Sequence, residues 1–168
     1  MSARNNNCAG YPGTPGTRML TDLLLASLHH LLFFALIAML VSESALLRGT
    51  VDAPVLQRLA RLDAGYGMVA GLLLAVGLLR VFYGIKGADF YLHNPWFHAK
   101  LGCFVLAGLL SILPTIRFAR WRKALHANPQ FVPAAPEVAS MARIVRFELA
   151  LVAAILVFAA MMARYGGF

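Results

Sequence analysis

Residues 20–47 read LTDLLLASLHHLLFFALIAMLVSESALL, an apolar stretch with two adjacent histidines well inside it. About 20 helical residues cross the ~30 Å hydrocarbon core of a bilayer, so this stretch is long enough to span a membrane. Residues 62–83, 97–118 and 144–162 are also long and apolar. The alternation of polar and apolar residues that a membrane β-barrel needs is absent from the sequence. The sequence therefore predicts an all-α fold, an integral membrane four-helix bundle.

The composition points to the same class of protein. The 168-residue chain is 60% hydrophobic and only 13% charged, which is more apolar surface than a soluble domain of this length could bury. The net charge of +8 does not predict nucleic-acid binding, because the basic residues lie at helix ends, where they suit lipid headgroups. We therefore expect the lipid bilayer, and no nucleic acid, as a partner.

The chain divides into a tail and one membrane domain. Residues 1–18 are predicted to be a disordered N-terminal tail, because they are rich in Asn, Gly and Pro. They lack the order of basic, apolar and small residues that a cleaved signal peptide has, and Met19 is an alternative start. Residues 19–168 are predicted to form the four-helix transmembrane domain.

Two features of the connections and spans are predicted from small residues and prolines. Residues 119–141 hold three prolines and a basic cluster, and we interpret them as a surface loop. In the second span, Gly67 and Gly71 are four residues apart, a spacing that lets helix backbones approach closely in lipid. We therefore predict close helix packing at these two glycines.

Lysine and arginine residues predict the orientation, because the side of a membrane protein that is rich in them lies inside the cell. The connections after the first and third spans hold nine such residues and the opposite side holds six. We therefore expect both termini outside. The nine residues are Arg48, Arg58, Arg61, Arg117, Arg120, Arg122, Lys123, Arg143 and Arg146.

The two histidines of the first span differ in the direction they face. Asp22, His29, Leu36 and Glu43 are seven residues apart and therefore share one helix face. Acidic groups in a span face the bundle or water, so His29 is predicted to face inward, with His30, about 100° away, as the second choice. Three roles stay open for His29: a ligand of haem iron, a proton relay, or a hydrogen bond to a neighbouring helix.

The third span begins with a second candidate motif, WFHAKL at residues 96–101. His98 and Lys100 are two residues apart, so they point about 200° apart and cannot both face the same spot. Either His98 faces a cofactor while Lys100 turns outward, or the reverse. Arg80 and Lys86 add positive charge at this end, which suits carboxylates such as haem propionates. The alternative is a solvated cluster of charges at the interface.

The depths of the candidate histidines do not match. His29 lies nine residues, or roughly 14 Å at 1.5 Å per residue, below Leu20. His98 lies only two residues below Trp96. Two axial ligands of one iron need similar depths. Either the first helix protrudes from the membrane, or the helices tilt, or His29 and His98 are not both ligands.

Two further acidic residues, Glu43 and Glu148, are predicted at similar depths near the inner end of the bundle. Each lies five residues from a flanking arginine, Arg48 or Arg143. Salt bridges that lock the bundle are the favoured interpretation, and a proton path is the alternative. Asp63, at the start of the second span, is also given a structural role.

Five segments together resemble a family of bacterial four-span membrane proteins of unknown function. More distantly, the first-span histidine and the WFHAKL motif are similar to the HemJ-type membrane protoporphyrinogen oxidase, a haem b protein. The CopD membrane domain has a related architecture. The five segments are HHLLFF (29–34), LDAGYG (62–67), RVFYGIKG (80–87), NPWFHAKL (94–101) and SILPT (111–115).

The HemJ-like resemblance implies a haem b site that uses the first-span histidine, with Lys100 matching the lysine of that family's third-span motif. The chain departs from that family in its doubled histidine and in Glu43. We therefore expect a haem b-binding protein of the bacterial inner membrane with an electron-transfer or oxidoreductase role and periplasmic termini. Its redox partner would be a quinone, a porphyrinogen or another small molecule.

Two other functions stay open. In the first, the same histidines, with His29 and His98 as metal ligands, bind copper in a copper-handling or transport-related protein; sparse methionines and the lack of paired cysteines weigh against it. In the second, the protein is a non-catalytic assembly subunit whose polar residues only lock the bundle. Self-association into a homo-oligomer also stays open, and no catalytic residue is assigned.

Overall fold

A computed structural model describes residues 15–84 and 87–165, and every regular element within these two ranges is a helix. Four of the helices are long and apolar enough to cross a membrane, which confirms the predicted all-α class with four spans. A short helix, α3, connects the second and third spans. The helices are α1 (Pro15–Leu46), α2 (Ala53–Tyr83), α3 (Gly87–Leu92), α4 (Pro95–Ala127) and α5 (Ala135–Tyr165).

The helices extend well beyond the apolar stretches that predict them. At one end of the bundle α2 begins at residue 53 rather than 62, α4 ends at 127 rather than 118, and α5 begins at 135 rather than 144. The prediction of a surface loop over residues 119–141 is therefore wrong, since only 128–134 connect the two helices. Residues 15–18 of the predicted tail are helical, and residues 1–14 lie outside the described residues.

The four long helices pair into two antiparallel hairpins. Most of the tertiary contacts join α1 to α2 and α4 to α5, while fewer join α2 to α4 and α1 to α5. Helix α1 is therefore diagonally opposite α4, and α2 is diagonally opposite α5. We call the end with residues 15 and 165 and α3 the terminal face. The end with the connections 47–52 and 128–134 is the loop face.

Glycines of α2 set its register against α1. A Cβ added at Gly77 would lie 3.2 Å from His29 Cε1, and one added at Gly65 would lie 3.2 Å from Met39 Cε. These distances are short for a Cβ, so each glycine makes room for one α1 side chain. The packing predicted at Gly67 and Gly71 is wrong within the chain, because an added Cβ there would meet nothing within 4 Å.

Two helices begin with side-chain caps that the sequence signals. Asp52 accepts a hydrogen bond from the Val55 backbone N–H at 3.0 Å, with Pro54 in the first turn of α2. Asn94 accepts from the Trp96 N–H at 3.0 Å, with Pro95 at the start of α4. Both caps satisfy backbone donors that have no partner within the helix. They fix where the second and third spans begin.

The core of the bundle is apolar over most of its length. Leu36, Leu40 and Leu73 are buried between the hairpins, and Phe118 and Trp121 fill the loop-face end. On the outside, many large apolar side chains are exposed, for example Leu31 at 67% and Phe34 at 62%. Such a surface is stable in contact with lipid rather than water.

Candidate functional site

Two polar clusters interrupt the apolar core, one towards each end of the bundle. The basic cluster lies towards the terminal face and consists of His29, Arg80 and Lys100. The acidic cluster lies towards the loop face and consists of Glu43, Asp63, Tyr66, Thr115 and Glu148. Along α1 the clusters are separated by the 14 residues from His29 to Glu43, about 21 Å at 1.5 Å per residue.

His29 occupies the place that a side chain at position 77 would fill. Its Cε1 atom faces Gly77, and its ring lies beside the backbone of Leu73, four residues earlier in α2. Because Gly77 has no side chain, it leaves the Leu73 carbonyl accessible to the ring. The ring nitrogen Nδ1 of His29 is buried and has no hydrogen-bond partner among the described residues. His29 therefore faces inward, as predicted, with one nitrogen unused.

Two cations, one from adjacent α2 and one from diagonally opposite α4, complete the basic cluster. Arg80 of α2 and Lys100 of α4 both act electrostatically on the His29 ring. The Nε atom of Arg80 is buried without a hydrogen-bond partner, and Lys100 Nζ lies 6.0 Å from the ring centroid of Phe97. Within residues 15–84 and 87–165, neither cation forms an ion pair. Partly buried cations without a carboxylate partner form a site suited to an anion.

The other predicted site residues lie outside this cluster. His30 is exposed, and its Nδ1 is 2.6 Å from the Ala26 carbonyl oxygen of its own helix. His98 is also exposed, with Nε2 2.8 Å from the Leu92 carbonyl oxygen. Of the two alternatives for the third span, the structure has Lys100 towards the bundle interior and His98 at its surface. Lys86 lies outside the described residues.

The extension of α1 explains the difference in depth. A Cβ added at Gly84, which caps the C-terminus of α2, would lie 3.2 Å from Asp22 Oδ1. The first residues of α1, from Pro15 onward, therefore protrude beyond α2 at the terminal face. This protrusion is one of the three explanations offered by the sequence. It brings His29 to the depth at which Arg80 and Lys100 can reach it.

The acidic cluster is contributed by all four long helices. The side chains of Glu43, Asp63 and Glu148 are almost fully buried, with residue exposures of 2%, 7% and 1%. Thr115 Oγ1 of α4 donates a hydrogen bond of 2.9 Å to Asp63 Oδ1. The three carboxyl groups act electrostatically on one another and on the Tyr66 hydroxyl. Residues far apart in the chain thus form one group in the bundle interior.

The salt bridges predicted for this region are absent from the part of the chain that the structure describes. Glu43 Oε1 and Glu148 Oε1 are buried without a hydrogen-bond partner, whereas Arg48 and Arg143 are exposed. The interpretation that these arginines lock the bundle is therefore wrong. Glu148 and Arg143 are five residues apart in one helix, which turns them about 140° away from each other. The arginines project to the outside while the carboxyl groups project inward.

The ion pair that does join two spans involves other residues. Arg117 of α4 donates to Glu137 Oε1 at 2.6 Å. Glu137 Oε2 accepts a second hydrogen bond from Trp121 Nε1 at 2.9 Å. No local sequence pattern marks this pair, since Glu137 lies in the stretch 119–141 that its prolines and basic residues predict to be a loop. With α4 and α5 as an antiparallel helical hairpin, the two residues lie opposite each other across the connection.

Across the described ranges, no three His, Cys, Asp or Glu side chains are placed so that they could hold a metal ion. His29 and His98, the predicted metal-ligand pair, are not brought together in such a group. Cys103 is a partly buried free thiol.

Comparison with known proteins assigns the chain to a family. No curated protein and no solved structure matches it. The family described as "Predicted membrane protein (DUF2214)" matches residues 21–167. This match covers most of the chain and includes both clusters and nearly all of the four spans. The chain, with its four candidate membrane spans, therefore belongs to this family of predicted membrane proteins.

Proposed function

We propose that this protein binds haem b through His29 and serves in electron transfer in the bacterial inner membrane. The observation that supports this most is the unused, buried Nδ1 atom of His29. A histidine that ligates a metal usually uses one ring nitrogen for the metal and the other for a hydrogen bond to a backbone carbonyl or carboxylate. The Leu73 backbone, which lies beside the ring, would accept that second bond.

The charges of the basic cluster fit the same cofactor. Haem b carries two propionate carboxylates, and the cluster holds two cations that have no carboxylate partner in the described residues, Arg80 and Lys100. A carboxylate paired with each cation would offset the cost of keeping the two charges away from water. This proposal assigns one protein ligand, His29, because His98 hydrogen-bonds to Leu92 at the surface.

The bundle would contribute binding, orientation and shielding. A bound haem b would supply one-electron exchange with a small redox partner such as a quinone or a porphyrinogen. His29 would hold the iron, and Arg80 and Lys100 would fix the propionates at the terminal-face end. Leu36 and Leu73, on the loop-face side of His29, would keep water from that side of the cofactor. The excess of basic residues at the loop face supports a cytoplasmic loop face and periplasmic termini.

Absorption spectra of the detergent-extracted protein, oxidised and then reduced, test the proposal. We expect a Soret band and a reduced spectrum typical of b-type haem. His29→Ala should abolish both, because it removes the ligand. His30→Ala is the matched control, since His30 is the adjacent residue but hydrogen-bonds to its own helix. Its haem content should equal that of the unsubstituted protein.

The proposal fails if the protein from haem-sufficient cells has no Soret band, or if His29→Ala and His30→Ala retain equal amounts of haem. Elemental analysis of the protein purified from haem-deficient cells addresses the copper-handling alternative. If the unsubstituted protein holds stoichiometric copper and His29→Ala loses it, the site binds copper rather than haem.

A further inference from the structure

The acidic cluster has no part in the function proposed above, and its chemistry is different. It lies about 21 Å along α1 from His29. Buried Leu36 and Leu40 lie between the two clusters on α1, and Leu73 lies between them on α2. A group bound at the basic cluster therefore does not neutralise the carboxyl groups of Glu43, Asp63 and Glu148.

The titratable groups that face the cluster are all acids. Helix α1 contributes Glu43, α2 contributes Asp63 and Tyr66, and α5 contributes Glu148. Helix α4 contributes the uncharged hydroxyl of Thr115. In the described ranges no Lys, Arg or His forms an ion pair with any of the three carboxyl groups. The positive charge that a buried carboxylate needs is therefore not supplied by the protein itself.

Two carboxyl oxygens also lack hydrogen-bond donors. Glu43 Oε1 and Glu148 Oε1 are buried and unpartnered, although both residues are at least 98% buried. An ionised carboxylate can only accept hydrogen bonds, whereas a protonated carboxyl group can also donate one. Protons on this cluster would therefore remove charge and at the same time provide donors for the unpartnered oxygens.

A metal ion fits the cluster less well than protons do. The described residues contain no group of three or more His, Cys, Asp or Glu side chains placed to hold a metal. Asp63 Oδ1 is already occupied by the Thr115 hydroxyl. Protons need no such ligand geometry, since each forms a single O–H bond on one carboxylate oxygen.

We propose that the acidic cluster is a proton-binding site, in which buried carboxyl groups of Glu43, Asp63 and Glu148 take up and release protons. Uptake forms an O–H bond on a carboxylate and removes one negative charge. On the loop-face side, buried Phe118 and Trp121 cover the cluster. On the terminal side the leucine layer separates the cluster from the opposite surface.

Infrared spectroscopy of the full-length protein in phosphatidylcholine vesicles tests this proposal, because protonated carboxyl groups have a C=O stretching band of their own. We expect this band at neutral pH, a shift of the band in ²H₂O, and its loss as the pH is raised. Glu43→Gln, Asp63→Asn and Glu148→Gln should each remove part of the band. Glu137→Gln is the control, because Glu137 pairs with Arg117 and accepts hydrogen bonds as a carboxylate.

The unsubstituted protein alone can overturn the proposal, so it does not depend on whether a variant folds. A spectrum without the band at neutral pH would overturn it. So would a band that remains unchanged in all three cluster variants. A band that disappears when sodium chloride replaces choline chloride at constant pH would assign the cluster to a metal cation instead. None of these outcomes depends on haem content, so the two proposals fail separately.

Discussion

The two ends of the bundle hold clusters of opposite charge, and each cluster lacks the partner that the other could have supplied. Glu43 and Glu148 have unpartnered oxygens, while His29 and Arg80 have unpartnered nitrogens. The separation of about 21 Å along α1 and the leucine layer prevent them from pairing. Within a membrane span, unpaired charge of this kind is costly and usually marks a functional site. On the two proposals, an anion would satisfy the charges of the basic cluster and protons would remove those of the acidic cluster.

The Arg117–Glu137 pair shows what a structural ion pair in this protein looks like. It is short, at 2.6 Å, it joins α4 to α5, and Trp121 satisfies the second carboxylate oxygen. In neither cluster are all the buried polar atoms paired in this way. The contrast separates an ion pair whose polar atoms are satisfied from two clusters whose buried polar atoms are not.

The largest effect is expected from reversing one charge in the basic cluster. Lys100→Glu places a carboxylate beside His29 and Arg80, where it would pair with them and repel an anionic ligand. Removing one partner of a buried charge pair costs about 2–5 kcal/mol. We expect Lys100→Glu to weaken the free energy of haem binding by at least this amount. Spectroscopic haem titration measures it, with Lys123→Glu, exposed near the loop face, as the control.

Equal losses in Lys100→Glu and Lys123→Glu would mean that overall charge, and not the basic cluster, governs binding. That result would remove the difference between the two ends of the bundle on which the comparison depends.

A smaller effect, and one that depends on pH, is expected from neutralising an acid at the other end. If the folded cluster holds its protons more tightly than the unfolded chain does, the folded protein loses stability as the pH rises and the cluster ionises. Glu148→Gln should therefore be more stable than the unsubstituted protein at alkaline pH, by about 1–3 kcal/mol, the cost of an unsatisfied buried polar group. Thermal unfolding at several pH values measures this difference.

The matched variant Glu137→Gln breaks a half-exposed ion pair instead. We expect it to lower the free energy of unfolding by no more than about 1 kcal/mol, as for other exposed pairs. Glu148→Gln behaving like Glu137→Gln at every pH would contradict the distinction between the acidic cluster and the structural ion pair.

The smallest effect is expected at the glycine that accommodates His29. An alanine in place of glycine inside a helix usually stabilises it by about 0.8–1.0 kcal/mol. Gly71→Ala should show this gain, because an added Cβ meets nothing within 4 Å. Gly77→Ala should not be stabilised in this way, because the added Cβ would lie 3.2 Å from His29 Cε1 and push the ring away. Thermal unfolding and haem content of the two variants are the measurements, and a gain of equal size in both would refute the contact.

The sequence predicted the spans and the direction of His29, but not the extents of the helices. The apolar stretches identify only the part of each helix that lies in hydrocarbon. Residues 53–61, 119–127 and 135–143 are helical as well, yet their charged and polar residues suit an interface and leave no apolar signal. Asp22, His29 and Glu43 are spaced by multiples of seven residues and therefore share one face of a single helix. The inward direction of His29 could be derived from this spacing without knowledge of the other helices.

Which residues come together in each cluster depends on contacts between helices, and the sequence alone does not specify those contacts. His98 and Lys100 are two residues apart, and only the packing of α4 against α2 determines which of them faces inward. Likewise, closeness in the chain suggested that Glu148 pairs with Arg143, although the helix turns the two side chains apart. The acidic cluster joins residues up to 105 positions apart, from Glu43 to Glu148, and no local pattern relates them.

The two glycine contacts between α1 and α2 restrict how the bundle can move. Met39 at Gly65 and His29 at Gly77 engage α2 at points 12 residues apart, about 18 Å along the helix. Sliding of one helix along the other would force both side chains out of their recesses at once. Both clusters include side chains from both hairpins, so a ligand at either end would link the α1–α2 hairpin to the α4–α5 hairpin.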